Sequence, residues 1–382
     1  MTVLVLGADG YLGWATCMYF SQRGHRVAAV DNYFRREALK AQGLESLVPV
    51  PGLPERARLW EAKSGSKIDV HIGDITDYGF LLSIFRQYGP DTVVHYAEQP
   101  SAPYSMMSRD NAAFTVQNNL LGTLNVAYAV RETNPACHII KLGTMGEYGT
   151  PDIDIEEGWI EIEHKGRKEK FLFPRQAGSL YHTTKIQDTD LLWFYVRTWG
   201  LKVTDLMQGP VYGISTEESG LDDGLLPHFN YDEVFGTVLN RFIVQAVAGH
   251  PLTIYGGGGQ VRGYLNIRDT MQCVYLSAMR PAGPGELRVF NQVTELFSVN
   301  ELSGRVKTAG DRLGYNVKLQ HIENPRVEKE EHYYNPAYTG LLDLGLAPNY
   351  LTDEVLEGMF GTVEKYRERI NRQAIFRGIK WK

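Results

Sequence analysis

A doubly wound α/β fold with a smaller C-terminal lobe is predicted by three features of the sequence. Strand-like runs alternate with helix-period segments through the first half of the chain, a glycine-spaced turn joins the first run to a helix, and the alternation weakens after Gly209-Pro210. The runs are residues 3–6, 27–31, 68–72, 92–95, 138–142 and 203–206. Their order predicts a parallel sheet with helices on both faces. Between the fifth run and the helix holding Tyr181, residues 159–163 and 171–173 flank His164-Lys-Gly-Arg167. This insertion is either a short β-hairpin over a Lys-Gly turn or a solvated, charge-rich loop.

At 382 residues and 43% hydrophobic content the chain exceeds one core of about 150 residues, so two lobes are expected. Residues 1–206 form the first and 207–382 mainly the second, with segments near 236–250 and 265–295 returning to the first. Turn-rich pieces at 213–231, 255–263 and 281–286 build the second lobe from separate excursions. The 39 basic and 45 acidic residues leave a net charge of −6, which argues against a polyanion surface and so against a nucleic-acid partner. Cys17, Cys137 and Cys273 are odd in number and form no CxxC pair; neither a disulfide framework nor a metal site is expected, and a reducing cytosol fits. No basic leader and no apolar run long enough to span a bilayer is visible, so Met1 reads as the true start and no membrane partner is expected.

The turn Gly7-Ala-Asp-Gly10-Tyr-Leu-Gly13 leaves a predicted strand and opens a helix, the context of a Rossmann-type dinucleotide fingerprint. The first glycine permits the turn, the second lets a pyrophosphate approach the backbone, and the third packs helix on strand. Asp9, Tyr11 and Leu12 lie in the same turn. Its GxxGxxG spacing is the form found in short-chain dehydrogenases. Asp31 ends the second strand, where a carboxylate accepts both ribose hydroxyls and repels a 2′-phosphate, favouring NAD. Arg35 and Arg36 either bind phosphate, stack on adenine, or simply begin a solvated helix. Asp74, before Ile75, sits either near the adenine amine or on a helix as its cap.

Tyr181-His-Thr-Thr-Lys185 puts a phenol and an ammonium one helical turn apart on one face. A nearby ammonium stabilises the phenolate, so Tyr181 can exchange a hydroxyl proton while hydride moves to NAD. Thr144 either hydrogen-bonds the same hydroxyl or caps the strand end. Met145 and Gly146 follow it, where sugar-nucleotide 4,6-dehydratases carry the Asp and Glu of water loss; Glu147 is displaced by one step. The run Gly256-Gly-Gly-Gly-Gln-Val-Arg262 lacks the Lys-Ser/Thr of a P-loop.

Six unusual strings resemble the UDP-sulfoquinovose synthase family of extended short-chain dehydrogenases/reductases. They are Ser101-Ala-Pro-Tyr-Ser-Met106, Lys141-Leu-Gly-Thr-Met-Gly-Glu-Tyr-Gly149, Asp154-Ile-Glu-Glu-Gly158, Phe235-Gly-Thr237, Asn240-Arg-Phe242, and Asn324-Pro-Arg-Val-Glu328 leading to His332-Tyr-Tyr-Asn335. The resemblance implies UDP-glucose and sulfite as substrates and a tightly held NAD that is regenerated in each cycle. It implies that Thr144, Tyr181 and Lys185 act at C4, with Met145, Glu147 and His182 lining the sugar. His182 either moves a C5 or C6 proton or is merely packed. The cofactor's further contacts are expected at Asn32, Tyr96, Ala97, Glu98, Asn118, Gln208 and Val211. For the UDP-sugar they are Gln99, Ser101, Tyr104, Thr237, Asn240 and Arg241, then Thr253, Tyr255, Gln260, Arg262, Arg326 and Glu328, with Thr144, Tyr181 and Gln208 shared. Forked guanidinium groups at Arg262 and Arg326 suit a diphosphate.

One departure stands out. The family carries Arg after Glu-Gln, whereas Pro100 follows Glu98-Gln99 here, and Arg109 is one candidate substitute. Rival functions are a UDP-sugar 4-epimerase or 4,6-dehydratase and, in another class, a non-catalytic NAD-binding regulator. A homodimer through a helix pair is expected by analogy alone.

Overall fold

A computed structural model of the protein describes residues 1–324 and 333–376. The chain begins β1 (Thr2–Leu6), α1 (Gly13–Gln22), β2 (Arg26–Asp31), α2 (Phe34–Lys40), α3 (Leu53–Ser64), β3 (Ile68–Ile72), α4 (Tyr78–Tyr88) and β4 (Thr92–His95). A short α5 (Ala102–Met106) precedes the long α6 (Arg109–Thr133) and β5 (His138–Thr144). After a hairpin of β6 (Trp159–His164) and β7 (Arg167–Leu172) come α7 (Leu180–Trp199), β8 (Lys202–Gln208) and β9 (Val211–Tyr212). The remainder is α8 (Val238–Val247), β10 (Leu252–Tyr255), β11 (Val261–Asn266), α9 (Ile267–Met279), β12 (Leu287–Gln292) and β13 (Glu295–Ser298). It continues with α10 (Val299–Arg312), β14 (Leu319–Ile322), α11 (Gly340–Asp343) and α12 (Asp353–Lys365).

The predicted α/β fold is the one observed. Seven strands form one sheet in the order β12-β8-β5-β4-β1-β2-β3, and every neighbouring pair is parallel. Leu4 and Leu6 of β1 pack into one apolar layer and Val3 and Val5 into the other, as the two-residue strand period requires. Strand order reverses direction at β1, so a crevice opens beyond the carboxyl ends of β1 and β4. Small chemical signals fix the helices that border it. Ser108 caps α6 and Ser179 caps α7, each accepting a backbone N–H, and Gly200 ends α7 in the left-handed region.

Two expectations about the lobes need correction. Segment 236–250 does not return to the first lobe. Its helix α8 carries Leu239, Phe242, Ile243, Val244 and Val247 into the second core, with residues of α10 and α12, and is buried from Leu239 to Val247. Conversely Leu39, Leu44, Leu47 and Val48, placed with the first lobe, also pack into that second core. Residues 267–292 do lie with the sheet: Cys273 and Val274 of α9 pack in its layer and β12 forms its edge.

The insertion is a hairpin. β6 and β7 pair antiparallel, and Lys165 and Gly166 both have positive φ, the two-residue turn that suits the twist of a hairpin. No helix among the described residues is long and apolar enough to cross a membrane.

Candidate active site

The crevice is a cleft of about 750 Å³ between the two lobes. Its floor is the glycine turn. Gly7 has φ of 83°, and a Cβ there would lie 2.6 Å from the Tyr96 carbonyl carbon; a Cβ on Gly13 would lie 2.0 Å from the Gly7 oxygen. Gly10 meets only the Gly7 oxygen, at 3.3 Å, which leaves room for a phosphate beside it. At the end of β2, Asp31 accepts the N–H groups of Asp9 at 2.9 Å and Tyr33 at 2.6 Å. Each carboxylate oxygen keeps a second lone pair for a ribose hydroxyl. Burial, followed by the charge of Asp9, pushes the Asp31 carboxyl up to about 6. This cradle fits a dinucleotide, and Tyr11, Leu12, Asn32, Arg35, Ile75, Tyr96, Ala97, Asn118 and Val211 complete its lining.

Some expected cofactor contacts are occupied elsewhere. Arg36 does not line the cleft. Its Nε and Nη2 each lie 2.7 Å from the Asp9 carboxylate, and it also donates to the carbonyls of Val50 and Pro51. Arg56, wholly buried, and His228, at 3.0 Å, hold the same carboxylate, so Asp9 braces the turn from behind although it also borders the cleft. Asp74 takes neither of its expected roles: its carboxylate closes a local turn, accepting Thr76 N at 2.8 Å and Asn32 Nδ2 at 3.0 Å, while Asp77 caps α4. Nothing in the local sequence marks Arg56 or His228; Asp9 meets them 47 and 219 residues away.

Farther along the cleft, Thr144, Met145, Tyr181 and His182 face one space. Thr144 is also a cap, since its hydroxyl accepts Gly146 N at 3.2 Å and keeps its own hydrogen free to donate. His182 stands against Gly146 so closely that a Cβ there would be 2.3 Å from His182 Nε2. Ser179 Oγ lies 3.0 Å from His182 Nδ1 and orients the ring. Lys185 is almost fully buried and its ammonium grips Glu98. Burial first, then the charges of Glu98 and Glu147, hold the Tyr181 phenol well above its ordinary value.

Glu147 does not line the sugar. It is wholly buried, accepts Thr144 N at 3.2 Å, and pairs with Lys141 at 3.5 Å and Arg175 at 3.1 Å. It braces the Thr144 turn because, one residue beyond the dehydratase Glu, a single 3-10 turn carries it behind the strand end. Gln99 is likewise buried, its amide spent on Ser101 O and Thr115 Oγ1 at 3.0 and 2.9 Å. Tyr104 stacks edge-on to Phe34, and Asn240 accepts Gly213 N at 3.2 Å; neither borders the cleft. Those that do are Ser101, Gln208, Thr237, Arg241, Thr253, Tyr255, Gln260 and Arg262. Arg241 Nε and Nη2 are buried without a hydrogen-bond partner among the described residues. Arg326 and Glu328 lie outside the described residues.

Comparison with known proteins places this geometry. The model of the NAD dependent epimerase/dehydratase family matches residues 3–291. A chloroplastic UDP-sulfoquinovose synthase of Spinacia oleracea is 50% identical over 380 residues, covering 100% of this chain and 79% of its own. A UDP-sulfoquinovose synthase of Sulfolobus acidocaldarius is 46% identical over 385 residues, covering 100% and 98%. The chain belongs to the UDP-sulfoquinovose synthases, within the NAD-dependent epimerase/dehydratase family. Among solved structures, UDP-glucose 4-epimerase of Thermotoga maritima with UDP-glucose superposes with a TM-score of 0.71 at 23% identity, over 96% of this chain and 99% of that one. That likeness speaks for the fold alone.

Within a synthase, the Met145-Gly146 pair acquires a physical reason. Gly146 stands where a dehydratase carries Glu, and the His182 imidazole fills the space that side chain would need. Pro100 lines the cleft where a synthase arginine is expected. Arg109 does not replace it, for its side chain is 89% exposed beside Asp110.

Proposed function

We propose that the protein converts UDP-glucose and sulfite to UDP-sulfoquinovose. The likeness to two synthases along the full length of the chain carries this reading. The glycine turn and Asp31 would hold NAD, which when bound would supply the hydride acceptor for C4 and the hydride returned there, and so would stay resident. Tyr181 takes the C4 hydroxyl proton, and Thr144 donates to the same oxygen. A ketone at C4 acidifies C5–H. His182 takes the C5 proton and passes it to the C6 hydroxyl, which leaves as water. Bisulfite then adds to the resulting alkene: sulfur bonds to C6 and the proton goes to C5.

Arg241 and Arg262 receive the UDP diphosphate, where the unpaired Arg241 donors favour an anion. Gln208, Thr237, Thr253, Tyr255 and Gln260 border the same end of the cleft. The protein assembles as a homodimer through α6 and α7, on which Val116, Tyr128 and Phe194 are exposed. Three buried, unpaired thiols favour a reducing cytosol. In heavy water with UDP-glucose and no sulfite, the sugar should gain deuterium at C5. A 4-epimerase, which never breaks that bond, would leave C5 unlabelled by nuclear magnetic resonance.

A further inference from the structure

Behind the reacting groups lies a cluster that the mechanism above does not use. Glu98, at the end of β4, and Asp188, one turn beyond Lys185 on α7, flank the Lys185 ammonium. Glu98 grips it and Asp188 Oδ2 is 3.9 Å away. His95 Nε2 approaches Glu98 at 3.6 Å from β4, and the same nitrogen lies 3.2 Å from Thr123 Oγ1. Both Asp188 oxygens and Glu98 Oε1 are buried with no hydrogen-bond partner among the described residues. Two carboxyls and one ammonium, all out of water, leave a net negative charge unless one carboxyl is protonated, and an uncompensated buried charge is strongly unfavourable.

We infer that Glu98 and Asp188 are the proton store of the active site: Asp188 carries a resting proton, and Glu98 takes a second one, through Lys185, while Tyr181 holds the proton of the C4 hydroxyl. This rests on the proposed C4 oxidation. A buried phenol is protonated at rest, so it accepts a proton only by passing its own on. The balance is complete within the site. The C4–H bond breaks with its electron pair going as hydride to NAD, and the O4 proton goes to the Tyr181 oxygen. The Tyr181 proton goes to the Lys185 nitrogen, and a Lys185 proton goes to Glu98 Oε2. Hydride return reverses each transfer, so no proton need enter from solvent.

The surroundings favour this division of roles. Burial, then the charge of Glu98, raises Asp188 well above the carboxylate range. For Glu98, burial is outweighed by Lys185 and His95, and the carboxyl stays below its usual value. His95 itself is pushed down to about 4 by burial and is neutral. The other charged groups nearby are already committed. Lys141 of β5 pairs with Asp205 of β8 at 3.2 Å and with Glu147, and donates to the Lys185 carbonyl at 3.1 Å.

The test is rapid-mixing of NAD-loaded enzyme with UDP-glucose, without sulfite, following reduced nicotinamide from about pH 5 to about 9. Wild type should keep a flat rate over this range, because Glu98, held below its usual value by Lys185, stays ionised and ready to accept. Glu98→Gln should be slowed by about ten-fold or more at neutral pH, with a rate that climbs with pH because the proton must leave to solvent. Asp188→Asn, which keeps the neutral side chain that the resting proton supplies, should retain the wild-type profile. UDP-glucose affinity should stay within about two-fold in both. A Glu98→Gln variant with less stability but the flat wild-type pH profile would overturn the store, since a merely structural pair predicts that pattern. Failure of wild type itself to reduce NAD would instead remove the proposed function.

Discussion

Single residues here do more than their sequence neighbours announce. Tyr181 and Lys185 were legible from spacing, but the partner that dominates Lys185 was not. Glu98 reaches it from 87 residues away, and a four-residue motif says nothing of that contact. Tyr181→Phe should lower ketone formation by about 10²- to 10⁴-fold while leaving UDP-glucose binding intact, as rapid-mixing absorbance would report. Asp31 was legible as the ribose acceptor, and its raised value gives the claim a pH signature. Because the folded carboxyl sits near 6, above its unfolded value, it is protonated as pH falls from 7 to 5 and loses a carboxylate acceptor. NAD affinity of the apoprotein, measured by calorimetry, should weaken over that interval, and Asp31→Asn should flatten the dependence. Its own contribution to folding has the opposite sign, a cost at neutral pH that vanishes on acidification. Asp9 was legible only as part of the turn. Asp9→Ala strips the buried Arg56 of its counter-charge, and chemical denaturation should show a loss on the order of 3–5 kcal/mol; a loss under about 1 kcal/mol would mean Arg56 finds another partner.

At the scale of elements, alternation and turn chemistry carried the sheet, including six of its strands within a few residues. The seventh, β12, lies 79 residues after β8 ends, and no local signal ties it to β8, whose edge it covers. The sequence of β6 and β7 admits both a hairpin and a loop because its outward face is charged; Lys165-Gly166 decides it through backbone conformation. Glu147 shows how a one-residue displacement matters at an element boundary: within a 3-10 turn it rotates from the cleft into the interior. Gly146 is the complementary case. Gly146→Ala should push the His182 ring aside, leave C4 oxidation within about three-fold, and cut C5 exchange by about ten-fold or more. Equal loss in both assays would place His182 outside the C5 step.

The whole molecule holds its chemistry between two cores. The first was legible from periodicity, whereas the second draws Leu39, Leu47, α8, α10 and α12 together from distant stretches, so its boundary could not be read from order along the chain. The α6 and α7 faces extend the same logic to assembly. Leu191→Arg, in the groove it shares with Leu120 and Leu124, should shift a dimer to monomer by analytical ultracentrifugation. An unchanged sedimentation coefficient would move the interface elsewhere. The central claim concerns what leaves the cleft. Purified protein carrying its own NAD, given UDP-glucose and sulfite and followed by mass spectrometry, should yield a UDP-sugar in which a sulfonate has replaced one hydroxyl, without net change in NAD. A product of unchanged mass, or no turnover with UDP-glucose, would contradict it.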